Sequence, residues 1–598
     1  MKWFLGSLSV VALLLPVVTP THLSADEPRP DGGPANRMAT GPRADALSPA
    51  VWRREKRIID LHQHVEATPE RLDRAIGILD RAGVGIGVLL GVGTVTHKPG
   101  EPSAFERVRA VVEARYPGRF VPYMLLDYAG WDAPDWSERA AQQIVEGHRL
   151  GAAGLKEFKR LGLYLRDGAG KLIAIDDPKL DAVWRKCGEL GLPVSIHVAD
   201  PRAFWLPYDA SNERWTELKD HRSWWFGDPA RYPPRQALLE ALDRVIERHP
   251  RTTFVCVHFA NNAEDLAWVD QALTARPNML ADVAARIPEI GRHPPDAVRQ
   301  LFIKHQNRIL FATDFMVYDR LILGSGGDHE RPTDDDAVTF YVKCWRWFET
   351  ADRDWAHMTP IQGDWTISSI ALPPEVCRKI YFDNARKLLA RSLPLPTVRA
   401  ARLEEDFAPD GELAEPAWKH AQPCRLEYQS LDSTARPELS TPVRLLWSDR
   451  YLYLGYEAPY TELSVFSPQQ REERIGLWEN DVVEAFIAPD AERPQAYTEY
   501  EWAPNGESLD LKLDLPRKDF AWSSGMESAV RVDESARTWR VEARIPWTAF
   551  TGECPKRGAR WRINLFRFDK QQRAYLALSP TLTGTFHRPE RFGWLEFE

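Results

Sequence analysis

The feature that most constrains the fold is an alternation, over residues 57–391, of short apolar runs with longer amphipathic helical patterns. Most of the apolar runs are nearly continuous, which is typical of parallel strands covered on both faces. Eight strand–helix units of this kind predict an α/β fold, a (β/α)8 barrel of the TIM type. An open doubly wound sheet is the alternative, and its usual glycine-rich phosphate turn is missing here. The predicted strands are residues 57–65, 83–93, 120–129, 152–159, 192–200, 252–261, 278–285 and 308–315.

The pattern changes its period after a proline-spaced segment at residues 392–406. Residues 508–515 alternate leucine with charged side chains, and residues 538–547 alternate apolar with polar ones. Period-2 strands separated by turn signals are typical of an antiparallel β-sandwich. We therefore expect a barrel over residues 51–395, a linker at 396–404 and an all-β antiparallel sandwich domain over 405–598.

The first residues are typical of a cleaved export signal. Lys2 precedes an apolar run from Trp3 to Val18, and the small residue Ala25 precedes an acidic, proline-rich stretch. A membrane anchor is the alternative, but the run is shorter than the ~20 apolar residues that a span needs. We expect a signal peptide at residues 1–25, a flexible tether at 26–50, and a periplasmic or extracellular protein without stable membrane insertion.

The charge of the chain argues against a nucleic-acid-binding protein, and its cysteine content argues against a disulfide-rich fold. The 77 Lys and Arg residues stand against 86 Asp and Glu residues, which gives a net charge of −9. With no basic excess to neutralise phosphates, nucleic-acid binding by the whole chain is disfavoured. The 6 cysteines form no C-x-x-C pair, so a disulfide framework is not expected, although one or two bridges remain open.

Five polar side chains fall at or near the carboxyl ends of predicted strands. Asp60-Leu61-His62-Gln63-His64 ends the first strand, and period-2 geometry places its two histidines on one face. His197, His258 and Asp314 end the fifth, sixth and eighth strands. In a closed barrel these ends meet at one rim, and gathering such groups without a cation would cost too much desolvation. A metal site is therefore favoured over separately satisfied core histidines.

This set, together with the closing Asn384-Ala385 helix, resembles the amidohydrolase superfamily over about residues 57–391. The most similar branch is the amidohydrolase-related metal-dependent hydrolases, which also include decarboxylases of the aminocarboxymuconate-semialdehyde type. The resemblance implies a divalent metal, most often Zn²⁺, and an acid–base role for His258. It also implies that Asp314 takes a proton from the attacking water. The implied metal ligands are His62, His64, His197 and Asp314.

The chemistry of such a site supports this division of roles. Zn²⁺ held by imidazoles and a carboxylate lowers the pKa of bound water to about 7 and polarises a carbonyl group. Asp314 could then receive a proton and pass it to the leaving group, and His258 could stabilise a developing oxyanion.

Lys156, on the fourth strand, has several interpretations. In binuclear relatives a lysine at the end of this strand is carbamylated and bridges two metals. A carbamate is needed because an ammonium has no lone pair for a cation. The alternatives are a lysine that holds a substrate carboxylate, or one paired with Glu157 or Asp127. We favour one metal, with Lys156 facing the substrate.

Two connections that follow strand ends are too long to be plain loops. One runs over residues 201–234 and contains Phe204, Trp205, Trp215, Trp224 and Trp225; the other runs over residues 316–339. Both positions are where barrel enzymes build lids and substrate pockets. The alternative for the aromatic loop is that its indoles pack it onto the rim.

The C-terminal region resembles the family-9-like carbohydrate-binding modules over about residues 405–598, in segments such as DGELAEPAW, NDVVEAFIAP and YTEYEWAPNGE. The resemblance implies a sugar-binding fold. Sugar faces stack on exposed aromatic rings, and the candidates are Trp478, Trp502 and Trp522. Each of these rings could instead fill the core of the sandwich.

Together these observations predict an exported metal-dependent hydrolase. Its substrate would be a lactone, ester or amide in a small polar molecule, including one derived from a carbohydrate, and its sandwich would bind a glycan or pack on the enzyme. One alternative is a metal-dependent decarboxylase with the same ligands. The other is a carbohydrate-binding protein without catalysis.

Overall fold

The computed structural model describes residues 48–327, 329–470 and 473–598. The predicted export signal (1–25) and residues 26–47 of the predicted tether lie outside the described residues. Within these described ranges, no helix is both long and apolar enough to cross a membrane.

Each of the eight strands predicted for the N-terminal region contains observed strand residues. The strands are shorter than the apolar runs, since the ends of each run form the loops that follow. The strands are β1 (Ile58–Val65), β2 (Val84–Leu89), β3 (Phe120–Pro122), β4 (Met124–Leu125), β5 (Leu155–Glu157), β6 (Val194–Ile196), β7 (Phe254–Cys256), β8 (Met279–Asp282), β9 (Ile309–Leu310), β10 (Phe315–Val317) and β11 (Leu321–Leu323), with a separate pair β12 (Trp355–Ala356) and β13 (Thr366–Ile367).

Strands β1 to β11 form two sheets that are parallel except at one hairpin. One has the order β11-β10-β1-β2-β3, and the other runs from β4 to β9 in sequence order. The β10–β11 pair is antiparallel. Tyr123 alone separates β3 from β4. On the other side, the amide of Leu61 in β1 donates a hydrogen bond to the carbonyl oxygen of Phe311, which follows β9, over 3.1 Å. The sheets therefore adjoin between β3 and β4 and between β1 and the residue that follows β9, while closure into one eight-stranded barrel stays a prediction.

Helices follow most of these strands and cover the sheets. Ser103 begins one of them with a capping box, in which its side chain and that of Glu106 exchange hydrogen bonds with backbone amides. The closing amphipathic pattern forms two short helices around a π-helical segment, Lys379–Asp383. The helices are α1 (Pro49–Arg54), α2 (Pro69–Ala82), α3 (Ala104–Arg115), α4 (Trp136–Arg149), α5 (Asp181–Leu190), α6 (Trp215–Leu218), α7 (Arg235–Arg248), α8 (Leu266–Ala275), α9 (Ile287–Ile290), α10 (Pro295–Lys304), α11 (Asp334–Glu349), α12 (Pro374–Arg378) and α13 (Asn384–Leu388).

The C-terminal region is a curled 14-stranded sheet system whose main path runs β22-β21-β20-β19-β25-β27-β14-β17-β18-β24-β23. Its two faces bury separate apolar clusters. The strands in this region are β14 (Thr397–Arg402), β15 (Cys424–Leu426), β16 (Tyr428–Gln429), β17 (Thr441–Trp447), β18 (Tyr451–Pro459), β19 (Val482–Ala488), β20 (Ala496–Trp502), β21 (Ser508–Asp514), β22 (Arg517–Asp519), β23 (Glu527–Asp533), β24 (Thr538–Pro546), β25 (Arg560–Asp569), β26 (Ala574–Ala577) and β27 (Gly593–Phe597).

The structure corrects two expectations about this region. The predicted linker at 396–404 contains β14, which pairs with β17 and β27 and buries Val398 and Ala400 in the apolar core of the C-terminal region. Both of these pairings are parallel, so the sheet is not wholly antiparallel. The prolines before β14 suggested a linker, but the short alternation of apolar residues after them forms a strand.

A buried ion network joins the two regions. Glu427 forms ion pairs with Arg57, 3.0 Å away, and with Arg378, 2.5 Å away. Tyr428, the next residue, donates from its hydroxyl to Asp383 Oδ1, 3.1 Å away. Burial raises the pKa of the Glu427 carboxyl, but the two guanidinium groups outweigh this and lower it to about 2. The C-terminal region is therefore attached to the N-terminal region through ionised side chains shielded from water.

All 6 cysteines lie in the described part of the chain, and none of them forms a disulfide there. Cys187, Cys256, Cys344 and Cys377 are buried. Four of the thiols are thus packed as small apolar groups in the N-terminal region.

Candidate metal centre

His62 and His64, near the end of β1, face the same side of the strand, as their spacing predicts. Each ring is held at Nδ1 by an acceptor outside the site. His62 Nδ1 lies 3.1 Å from Asp282 Oδ2, and His64 Nδ1 lies 3.0 Å from the carbonyl oxygen of Leu90. Burial raises the pKa of Asp282 to about 7. A carbonyl oxygen and an ionised carboxylate both accept hydrogen bonds, so when Asp282 is ionised each Nδ1 carries the proton and each Nε2 keeps its lone pair. Both Nε2 atoms face Asp314, each 3.4 Å from Oδ1.

Asp314 lies between β9 and β10, where the backbone turns at a φ of 62°. Its amide donates to the carbonyl oxygen of His62, 2.9 Å away, which fixes the two strand ends together. Its Oδ1 atom is buried and has no hydrogen-bond partner among the described residues. Burial raises the pKa of this carboxyl, but His62, His64 and His258 outweigh it and hold the pKa well below the usual range. Asp314 therefore presents an ionised, unpartnered oxygen to the site.

His258 follows β7 in a left-handed turn. The φ values of residues 258–261 are 56°, 55°, 61° and 57°, a conformation that L-residues rarely adopt. The His258 amide donates to Asp282 Oδ1 at 2.8 Å, and Nδ1 lies 2.8 Å from the carbonyl oxygen of Ala284. Ligand atoms of His62, His258 and Asp314 lie within 4.8 Å of one another. The structure thus brings His258 as close to the site as the residues that the resemblance implied to be ligands.

His197, after β6, lies at the margin of this group. Its ring centroid is 4.4 Å from that of His258. Its Nε2 atom lies 3.2 Å from Asp200 Oδ1, but the geometry does not make a hydrogen bond. Burial lowers the pKa of His197 to about 4, against the opposing effect of Asp200. The ring is therefore neutral at pH 7 and can donate a lone pair.

The donor set suits a divalent cation. Burial holds the pKa values of His62 and His258 well below the usual value, so both rings are neutral at pH 7. Neutral imidazoles and one ionised carboxylate are the ligands that Zn²⁺ takes in proteins. The orphaned Asp314 Oδ1 is a buried acceptor that a cation would satisfy.

Lys156, on β5, is buried beside these groups. Burial lowers the pKa of its amine to about 8, against the opposing effects of Asp282, Asp314 and Glu157. Its Nζ lies 5.2 Å from the centre of the Phe158 ring. The two alternative carboxylate partners are engaged elsewhere: Glu157 pairs with Arg160, and Asp127 accepts from Thr96. Lys156 is mostly protonated at pH 7 and cannot itself be a ligand in that form.

A cavity of about 310 Å³ opens above the cluster. Its walls combine metal-site residues with cationic, acidic and aromatic side chains from the two long connections. They include His62, His64, Lys156, Lys159, His197, Asp200, Phe204, Glu217, His221, Trp224, His258, Arg286, Asp314, Arg320 and Ser325.

The aromatic loop divides between its two predicted roles. Phe204 and Trp224 line the cavity. Trp215 and Trp225 instead pack within the loop, their centroids 5.0 and 5.9 Å from the Tyr208 ring. The loop contacts the second connection where His221 Nε2 lies 3.1 Å from the carbonyl oxygen of Gly326. Both long connections therefore contribute to the mouth of the cavity.

Three residues that support or line the site were not predicted from the sequence. Asp282 holds two of the histidines, Asp200 lies against His197, and Arg286 lies in the cavity wall. Asp282 falls within the seventh predicted strand, at residues 278–285, so the rule that located Asp314 could have found it. Asp200 ends the fifth predicted strand in the same way.

The predicted sugar-stacking tryptophans have different environments. Trp478 is 42% exposed, and Trp522 is half-buried, with Lys512 Nζ 5.9 Å from its ring. Trp502 is 0% exposed and stacks on Tyr500 in the core, with centroids 6.1 Å apart. The prediction for Trp502 is therefore wrong, because a ring enclosed on both faces cannot contact a sugar.

Comparison with known proteins agrees with this organisation. A family model described as "Amidohydrolase" matches residues 59–391, and one described as "Carbohydrate family 9 binding domain-like" matches residues 410–598. The curated "Extracellular protein" of Arthroderma benhamiae is 26% identical over 169 residues, covering 26% of this chain and 74% of that protein.

Two solved structures are also similar. The 2,6-dihydroxybenzoate decarboxylase from Rhizobium is 16% identical and covers 56% of this chain and 98% of its own, with a TM-score of 0.32. A family 9 carbohydrate-binding module from Caldicellulosiruptor kristjanssonii in complex with cellotriose is 17% identical and covers 34% and 94%, with a TM-score of 0.26. By its family matches the chain belongs to the amidohydrolase family and carries a C-terminal domain of the family-9-like carbohydrate-binding type.

Proposed function

We propose that the N-terminal region is a metal-dependent hydrolase with the (β/α)8 architecture of its family. It would cleave a lactone, ester or amide bond in a small polar substrate. The observation that carries the proposal is the orphaned Oδ1 of Asp314. It lies 3.4 Å from Nε2 of both His62 and His64, whose opposite nitrogens are held by fixed acceptors.

Four side chains would hold one divalent cation, and their imidazole and carboxylate donors favour Zn²⁺. These are His62, His64, His197 and Asp314. A cation bound there supplies an acidified water at neutral pH and polarises a substrate carbonyl. With Lys156 protonated, the site lacks the anionic bridge that a second metal would need.

Asp314 and His258 would transfer a proton from the attacking water to the leaving group. Asp314 has two carboxylate oxygens, so one can face the cation while the other accepts a proton from water. His258 Nδ1 faces a carbonyl oxygen and carries the hydrogen, which leaves Nε2 free to take this proton from Asp314 and deliver it to the leaving group. This differs from a role in oxyanion stabilisation, since a neutral ring with its lone pair inward cannot donate a hydrogen bond at Nε2.

The remaining cavity residues would select the substrate. The volume of about 310 Å³ suits a small molecule. Lys156 and Arg286 would attract a carbonyl or carboxylate oxygen, and Trp224 would pack against a ring or chain. These features support a compact polar substrate that carries oxygen acceptors.

The C-terminal domain would bind a glycan and so concentrate the enzyme near its substrate. Family membership supports this role, and Trp478 offers an exposed ring. We further propose that the protein is exported to the periplasm or the cell exterior, on the basis of Lys2 and the apolar run from Trp3 to Val18.

A panel of lactones, esters and amides, assayed with the full chain after metal loading, tests the reaction. Incorporation of ¹⁸O from labelled water into the product, lost in Asp314→Asn, is the expected result. Release of CO₂ from an unsaturated or aromatic acid without ¹⁸O incorporation would show a decarboxylase instead. Glycan binding with no turnover on either panel would favour the non-catalytic alternative.

A further inference from the structure

Asp282 contacts both histidines that flank the proposed metal position. It is the last residue of β8 and is fully buried. Its Oδ2 atom lies 3.1 Å from His62 Nδ1, and its Oδ1 atom accepts from the amides of His258 at 2.8 Å and Ala284 at 3.2 Å. Nothing in the family matches assigns a role to this side chain. One carboxylate therefore contacts both the ring of His62 and the backbone of His258.

The contact at Oδ2 decides which nitrogen of His62 carries hydrogen. An imidazole that donates from Nδ1 to a carboxylate keeps a lone pair on Nε2, which is the atom that faces Asp314. Carboxylate partners of this kind fix the orientation of metal-binding histidines and raise their basicity. Without Oδ2, the His62 ring could adopt the other tautomer and present N–H to the cation.

The contact at Oδ1 holds the backbone of His258. The turn at residues 258–261 is left-handed at every position, and such a conformation persists where the surroundings enforce it. The Asp282 carboxylate enforces it at its first residue. At its last residue, the Asn261 side-chain oxygen accepts from the Val198 amide at 2.8 Å, beside His197. The turn is thus held at both ends, and its first residue points at the cluster.

We propose that Asp282 is a positioning residue that sets the tautomer of His62 and the backbone of His258 together, so that one side chain prepares a metal ligand and a proton carrier. This inference rests on the proposed metal site. It predicts that Asp282 acts through geometry, without contacting the substrate or the cation.

Asp282→Asn is the sharpest test, because the amide can keep the Oδ1 contacts but places a donor against His62 Nδ1. That donor favours the tautomer with hydrogen on Nε2. We expect the dissociation constant for Zn²⁺, measured on the full chain by competition with a chelator, to rise about 10–100-fold. The absorption spectrum of the Co²⁺-substituted variant should also change, since His62 leaves its position.

Asp60→Asn is the matched control. Asp60 is another buried carboxylate beside His62, and it accepts from the His62 amide at 3.3 Å but contacts no imidazole. Its other partners are Gln63, Thr313 and Tyr341. We expect this variant to unfold at a lower temperature, with little change in its affinity for Zn²⁺.

A second measurement does not depend on the folding of any variant. Nitrogen-15 NMR of labelled histidine in the metal-free wild type should show His62 protonated on Nδ1; protonation on Nε2 would overturn the inference. It would also be overturned if wild type and Asp282→Asn bound Zn²⁺ equally well. Failure of the wild type itself to bind Zn²⁺ would instead refute the proposed function.

Discussion

Two buried clusters of this molecule each bring three ligand atoms within 4.8 Å of one another, but the two clusters differ in the charge that they carry. His62, His258 and Asp314 combine two neutral rings with one ionised carboxylate. Glu484, Glu499 and Glu501, on β19 and β20, combine three carboxyl groups. Burial raises the pKa of all three glutamates, that of Glu499 to about 7. The acidic cluster can therefore keep protons at neutral pH, whereas the mixed cluster cannot neutralise Asp314 in this way.

The surroundings of the two clusters differ as much as their charge. Each imidazole of the mixed cluster has a fixed acceptor at Nδ1, supplied by Asp282 or by the carbonyl oxygen of Ala284. In the acidic cluster, both oxygens of Glu501 have no hydrogen-bond partner among the described residues. Proximity and burial alone thus do not make a metal site. Orientation by outer partners distinguishes the mixed cluster, of which His62 and Asp314 are proposed cation ligands and His258 the proposed proton carrier.

The largest expected effect separates the two clusters by metal binding. Added Zn²⁺ at about 10,000 times its dissociation constant should stabilise the wild type by about 5.5 kcal/mol, because it binds the folded state. Asp314→Asn should lose this stabilisation, and Glu501→Gln should keep it. Thermal unfolding with and without Zn²⁺ measures both. Loss of the effect in Glu501→Gln and not in Asp314→Asn would reverse the assignment.

The next effect is on stability, and it distinguishes the buried Trp502 from the exposed Trp478 in the C-terminal region. Trp502→Ala should destabilise the protein by about 3–5 kcal/mol, because it empties a core position. Trp478→Ala should change stability by no more than about 0.5 kcal/mol, since the ring is exposed. Denaturant unfolding checks the two values, and a glycan array checks binding. Equal glycan binding by Trp478→Ala and wild type would remove Trp478 from the sugar site.

Glu427 shows how ion pairs change the behaviour of a buried carboxyl. Its pKa of about 2 contrasts with that of Glu499, because Arg57 and Arg378 contact it. Glu427→Gln should cost about 3–5 kcal/mol, since it leaves two guanidinium groups without their carboxylate. In the wild type, this contribution is present above the unfolded pKa near 4.5 and is lost as the pH falls towards 2. Unfolding experiments across that range test it; a flat profile would contradict the ion pairing.

Glu499 should give the smallest effect on stability, and its dependence on pH should have the opposite sign to that of Glu427. Its folded pKa is raised, so its contribution is present below the unfolded pKa near 4.5 and is lost as the pH rises through about 7. Each proton held changes stability by about 1.4 kcal/mol per pH unit within that window. Glu499→Gln should flatten this slope and stabilise the protein at pH 8. An unchanged slope in the variant would show that Glu499 is ionised when folded.

Much of the N-terminal fold could be predicted, because strands buried on both faces leave continuous apolar runs. The same runs located His62, His64, His258 and Asp314, which the structure brings together at strand ends. Asp282 was missed although it also ends a strand. Its neighbours, Ala281 and Val283, gave no pattern comparable to His-x-His.

Other features depended on tertiary contacts that one sequence does not reveal. β14 follows two prolines, and its short alternating run forms a strand only because β17 and β27 accept it on both sides. Trp502 and Trp478 have the same chemistry, but Trp502 lies on β20 and packs in the core, whereas Trp478 lies in a short 3₁₀ helix, Leu477–Glu479, and is exposed. Two adjacent tryptophans of the aromatic loop differ in the same way, because Trp224 lines the cavity and Trp225 packs within the loop.

Metal content tests the central claim most directly. The full chain, purified without chelator after growth with added metal salts, should contain one divalent ion per molecule by mass spectrometry of the elements. Asp314→Asn, prepared in the same way, should contain almost none. Substoichiometric metal in the wild type, or equal metal in the two proteins, would contradict the assignment of this cluster as the catalytic centre.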